Sequence, residues 1–113
     1  CCNLLTDKGV IVIFTPNFDS LSVHIMKECS NIISPPAQLI YFNEKTVRLL
    51  SEESGLKLLY YRTCGIDLGD LKSYYEWNGE YNLASSCNEL YNIIQPVIDE
   101  SGSGNHMRFI LGK

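Results

Sequence analysis

Apolar residues run unbroken from Val10 to Phe14, as Val-Ile-Val-Ile-Phe, and stop at Thr15-Pro16-Asn17. A half-solvated strand alternates apolar and polar positions with a period of about two, whereas a strand covered on both faces is continuously apolar. The run therefore predicts a strand that needs neighbours on each flank and a helix on each face. Asp7-Lys8-Gly9 supplies a turn before it. Pro16 ends it, because proline has no N–H to donate to a ladder. Asn17 then falls just past the carboxyl end of the strand, the edge at which open α/β sheets bind ligands.

Further along, the spacing changes to that of helices. Leu21, Ile25 and Cys29 fall on one face of a short helix over 19–29, with Asp19 as its cap. Pro35-Pro36 makes 31–40 a loop or extended linker. The clearest helix covers 43–54. Asn43 caps it, Glu44 lies where the helix dipole favours an anion, and Phe42 and Val47 are placed for a hydrophobic staple. Val47, Leu49 and Leu50 are its expected buried side, and Gly55 its left-handed stop.

A second strand follows over 56–63, with Cys64-Gly65 as a turn. A helix over 67–77 is predicted to take Asp70 as cap and to end at Asn78-Gly79. Ser86-Cys87-Asn88-Glu89 has the form of a capping box opening another helix, which Pro96 should kink or end early. Residues 101–105 read as a flexible turn and 107–111 as a last strand. Three strands and several helices form one domain over 1–113, of α/β class. One side of the first strand stays unpaired, a hazard that a missing part of the polypeptide or a second copy of this chain would cover.

Composition narrows the function. Lys and Arg number nine against thirteen Asp and Glu, scattered rather than blocked, which argues against a nucleic-acid partner. No apolar run is long enough to span a membrane, and no signal-peptide pattern opens the chain. The five cysteines, Cys1, Cys2, Cys29, Cys64 and Cys87, show no Cys-x-x-Cys spacing, and His24 and His106 complete no zinc pattern with them. They are expected to be small core fillers in a reducing, cytoplasmic protein without metal. The opening Cys1-Cys2-Asn3-Leu4-Leu5 lacks an initiator Met and reads as a helix tail cut from something longer.

Several residues together carry a resemblance. Lys8-Gly9 leads into the apolar strand and Thr15-Pro16-Asn17; then come Pro36-Ala37-Gln38-Leu39, Tyr41-Phe42, the helix ending at Gly55, and Thr63-Cys64-Gly65-Ile66-Asp67. This set resembles the C-terminal half of class I S-adenosylmethionine-dependent methyltransferases, in the branch of the ubiquinone-biosynthesis O-methyltransferases. It covers a little over half of the chain, roughly 5–70. Lys8 replaces the first Gly of the family's turn, and Gln38 stands where the family often has His.

The resemblance implies a partial Rossmann-like methyltransferase sheet with covering helices. Residues 9–14 would be the fifth strand, 56–62 the sixth, and 107–111 an antiparallel seventh between them, giving the order five-seven-six. It implies that the intact protein uses S-adenosylmethionine to methylate a small molecule or biosynthetic intermediate. The Gly-rich loop and the acidic residue that hold this cofactor are not in this sequence, so no bound cofactor and no catalysis are expected of this chain alone. Thr15, Pro16, Asn17, Gln38 and Tyr41 would line the acceptor pocket, and His24 would be a candidate base.

Each has a plainer reading: Asn17 as a turn residue, Tyr41 as packing at a helix start, His24 as a surface histidine, Asp67 as a cap rather than a substrate contact. The aromatics from Tyr74 to Tyr81 are a lid over an apolar acceptor, or core, or interface. His106 is simplest as solvent-exposed. Two other functions remain open. One is a non-catalytic binding or dimerisation module derived from the same fold. The other is a thiol hydrolase using Cys64 or Cys29 with His24.

Overall fold

A computed structural model describes residues 2–113. Cys1, expected as a core filler, lies outside them. Strand β1 spans Val10–Pro16, β2 spans Lys57–Cys64 and β3 spans His106–Gly112. The helices are α1 (Leu21–Met26), α2 (Glu44–Ser54), α3 (Asp67–Trp77) and α4 (Tyr81–Glu100), with short 3₁₀ turns at Cys2–Leu4 and Lys27–Cys29. The fold is mixed α/β with one three-stranded sheet in the order β1-β3-β2. β3 runs antiparallel to both neighbours, so β1 and β2 are parallel to each other and joined through α2. A bulge at Leu59 interrupts the β2–β3 register.

Side chains alternate across this sheet. Met107, Phe109 and Leu111 of β3 are fully or almost fully buried, with Val47 and Leu56, and Ile11, Ile13, Leu58 and Tyr61 pack around them. That face is the one α2 covers. On the other face, Val10, Val12 and Phe14 are 51%, 69% and 57% exposed, and Leu59 and Tyr60 lie open beside them. The expected helix on each face is thus present on one face only within this chain. The molecule is 18 Å in its thinnest direction, room for a sheet and one helix layer. The outer edge of β1 pairs with no strand among the described residues.

A second core, of Met26, Leu68, Leu71 and Ile98, joins α1, α3 and α4. Tyr74, Tyr75, Cys87 and Tyr91 pack against it, whereas Trp77 and Tyr81 are 91% and 70% exposed. The aromatic group is therefore split between core and surface.

Local chemistry explains the helix ends. Asn43 Oδ1 accepts from the Thr46 amide and Thr46 Oγ1 accepts from the Asn43 amide, a reciprocal cap. Gly55 closes α2 at φ 67°. Phe42 packs near Val47, but Leu49 is exposed, so the buried stripe of α2 is narrower than its apolar residues. α1 is capped by Ser20, whose Oγ accepts from the Val23 amide, rather than by Asp19. It buries Val23 and Met26, leaving Ile25 and Cys29 exposed. Cys29 is no core filler; Cys2, Cys64 and Cys87 are half-buried, and all four are free thiols.

Asp70 lies inside α3, not at its cap. α4 begins at Tyr81, so Ser86 is an interior residue whose hydroxyl donates to the Asn82 carbonyl. The helix also continues past Pro96 to Glu100. Among the described residues, no helix is long and apolar enough to cross a membrane.

Candidate functional site

Three loops converge where β1 and β2 end and β3 begins. Their shared centre is polar and buried. Asn17, Asn105 and Asp67 are each 1% exposed or less. Asn17 follows the strand-ending Pro16, and its side chain is fully engaged. Its Nδ2 donates to the carbonyls of Gly102 at 3.1 Å and Gly104 at 2.9 Å, and its Oδ1 accepts from the Asp19 amide. The Asn17 amide donates to the Asn105 carbonyl at 2.9 Å. Asn17 therefore ties the end of β1 to the turn entering β3, which is its turn-residue role extended over a long sequence separation.

Asp67 opens α3 and accepts three hydrogen bonds, from the amides of Ser22 and Asn105 and from Gln95 Nε2. Asp70 accepts from Asn31 Nδ2 at 3.0 Å and from Asn105 Nδ2 at 2.8 Å. Neither carboxylate meets a Lys or Arg; the ion pairs among the described residues are Arg48–Glu44 and Lys72–Glu76, both on helix surfaces. Buried carboxylates held by neutral donors fix loop geometry, because each lost donor would leave charge unsatisfied. Gly65 belongs to the same knot. A Cβ there would run into the Asn105 side-chain amide, so the Thr63-Cys64-Gly65 turn needs glycine for close approach, not for its φ.

Both histidines sit at this end of the sheet with one ring nitrogen held. His24 Nδ1 donates to the Ser20 carbonyl at 2.9 Å, which leaves Nε2 as the acceptor of the neutral ring. His106 Nδ1 meets Asn105 Oδ1 at 2.9 Å, and Asn105 is oriented by Asp70. The His106 ring stacks on Phe14 at 5.0 Å and 2°, so it is half-buried rather than free in solvent.

His24 is exposed and lines an open groove of about 510 Å³ with Phe18, Val23, Lys27 and Ile33. Tyr41 packs against Phe18 at 5.7 Å, and its hydroxyl accepts from the Ser34 amide. The groove's apolar wall of Phe18, Val23 and Ile33 is bordered by the polar groups of His24, Lys27, Asp19 and Glu28.

The structure thus places His24 in the groove and packs Tyr41 against its Phe18, while Asn17 is buried and is not among the groove's lining residues. Thr15 and Pro16 lie in β1, opposite Met107 and His106. Gln38 is half-buried in the 31–40 loop, where its side chain bonds the Ile40 carbonyl. Cys64 faces His106 across the β2–β3 register, not His24. Phe18, Gln95 and Asn105 escaped sequence reasoning. Only Phe18, an aromatic directly after Asn17, carried a signal. Gln95 and Asn105 act over separations of 27 to 39 residues. Among the described residues, no cluster of His, Cys, Asp or Glu could hold a metal ion.

The buried carboxylates of Asp67 and Asp70 are engaged by Asn105, Gln95 and Asn31. Comparison with family models, with curated proteins and with solved structures finds no match to this chain.

Proposed function

We propose that this chain is the acceptor-side portion of an S-adenosylmethionine-dependent methyltransferase acting on a small molecule or biosynthetic intermediate. The observation that carries the reading is the sheet. Two parallel strands joined through a helix, with an antiparallel last strand between them, give the order five-seven-six that the resemblance implies. Loops at the carboxyl ends of the parallel strands meet at a polar knot beside a groove, where ligand sites of open α/β sheets lie.

In this reading the cofactor is held by residues outside this chain, so the chain by itself does not catalyse. When bound, the cofactor supplies the electrophilic methyl group. Phe18, backed by Tyr41, forms the wall on which an apolar acceptor packs. His24 Nε2 takes the acceptor's proton, the ring being held by the Ser20 carbonyl. Asn17, Asn105, Asp67 and Asp70 keep the loops in place.

Steady-state kinetics of the intact enzyme test this. Phe18→Ala should raise the acceptor KM about tenfold or more, the loss expected from emptying an aromatic contact, with S-adenosylmethionine affinity unchanged. His24→Gln should lower kcat about 10²-fold. Unchanged acceptor kinetics in both variants would remove the groove from the site.

A non-catalytic module derived from the same fold is the second reading. The uncovered sheet face favours it, since such a face calls for a partner surface.

A further inference from the structure

The three strands contain no acidic residue. Their cations are Lys57, Arg62 and Arg108, and all three lie on the open face. Arg62 and Arg108 are directly opposite in register. Like charges so placed destabilise a sheet unless something neutralises them; Arg62 shares a surface cavity with Glu44, Asp99 and Glu100 of its own chain, yet neither arginine forms an ion pair among the described residues. Arg108 lies over the Phe14 ring at 5.3 Å, which fixes its guanidinium on this face. Between Lys57 and the arginine pair, Val10, Val12, Leu59 and Tyr60 form an apolar floor.

α4 has the complementary surface. Its twenty residues include Glu89, Asp99 and Glu100 and no Lys or Arg. Besides the stripe it buries through Ala84, Gln95 and Ile98, it exposes a second one. Leu83, Leu90, Ile93 and Val97 are 48%, 44%, 66% and 60% exposed. Their spacings of seven, three and four residues align them on one flank of the helix. At 100° per residue, Glu89 and Glu100 fall together along the border of that stripe.

The dimensions agree. Eleven residues of helix separate Glu89 from Glu100 by about 16 Å at 1.5 Å per residue. Five residues of strand separate Lys57 from Arg62 by about 16 Å at 3.3 Å per residue. The helix, about 30 Å long, is long enough to cover strands of about 23 Å.

We propose that a second copy of this chain covers the open sheet face with its α4, in a two-fold symmetric dimer. Leu83, Leu90, Ile93 and Val97 of one protomer lie on the apolar floor of the other, with Glu89 and Glu100 against Lys57 and the Arg62–Arg108 pair. Because each chain carries both surfaces, the contact occurs twice. A doubled contact of this kind is the ordinary architecture of a two-fold dimer, in which a standard stable interface buries about 800 Å² per protomer. The pairing stands independently of the methyltransferase reading.

The test is a charge exchange read by light scattering after size exclusion. The wild-type chain should be dimeric at ~100 µM, within reach of an interface of this size. Lys57→Glu with Arg62→Glu, and separately Glu89→Lys with Glu100→Lys, should each give a folded monomer by circular dichroism. Mixed in equal amounts, they should restore a heterodimer, because both contacts are again complementary. A wild-type monomer at that concentration, a dimer in either variant alone, or a mixture that stays monomeric would overturn the proposal. Ile93→Asp should also give a folded monomer, and a dimer in that variant would count against it.

Discussion

Asn105 donates its side-chain amide to the Asp70 carboxylate at 2.8 Å, across 35 residues of chain. The same amide's oxygen meets His106 Nδ1, so one side chain connects α3, the turn into β3 and the imidazole stacked on Phe14. Removing it leaves a largely buried carboxylate short of a donor. Asn105→Ala should therefore cost about 2–4 kcal/mol of stability. A fall in the urea midpoint at unchanged slope would register this. A midpoint within error of wild type would mean that the knot does not hold the loops.

Glycine substitutions separate close approach from backbone conformation. Gly79 has φ 76° and open space around its missing Cβ, so Gly79→Ala should cost only about 1 kcal/mol. Gly65→Ala drives a methyl group into the Asn105 side chain and should cost more, about 2–3 kcal/mol with overpacking of a tight site. The comparison of the two melting temperatures checks the order.

Within α2 the buried stripe is narrow. Val47 is 0% exposed and Leu49 51%. Val47→Ala should cost about 2 kcal/mol through loss of core burial and the cavity left behind, while Leu49→Ala should stay within about 0.5 kcal/mol. Chemical denaturation of both variants decides it.

Tyr61 has its pKa pushed up to about 12, chiefly by burial and secondarily by Glu44. Its hydroxyl is buried without a hydrogen-bond partner. The folded chain therefore holds this proton more tightly than the unfolded chain, whose tyrosines ionise near 10. The contribution to stability is complete below pH 10 and is lost as pH rises toward 12. Tyr61→Phe should flatten the alkaline loss of stability between pH 10 and 12 relative to wild type. Thermal melts across that range measure the difference.

Locally encoded features were readable in advance. The Asn43 cap, the Gly55 stop and the strand end at Pro16 each follow from side-chain chemistry within a few residues. The order β1-β3-β2 is the one the resemblance implies; no local pattern in the strands themselves fixes it. α4 was misread at its start because Glu80 provides no side-chain cap, while Ser86 and Glu89 imitate one. Asp70 imitates a cap in sequence because its partners, Asn31 and Asn105, lie more than 30 residues away. The apolar run of β1 implies cover on both faces, yet α2 covers one and Val10, Val12 and Phe14 lie open on the other; a continuous apolar run does not by itself encode a second cover. Of the candidate site, Asn17 is legible as a position and as a turn residue, while the distant carbonyls of Gly102 and Gly104 that its amide bonds are not.

Calorimetric titration of S-adenosylmethionine tests the central claim most directly. It compares this chain with the longer polypeptide that carries an upstream strand and Gly-x-Gly-type loop, where the reading frame encodes them. The account predicts saturable binding to the longer polypeptide and none to this chain. A reading frame without those elements, or a longer polypeptide that binds no S-adenosylmethionine, would contradict it.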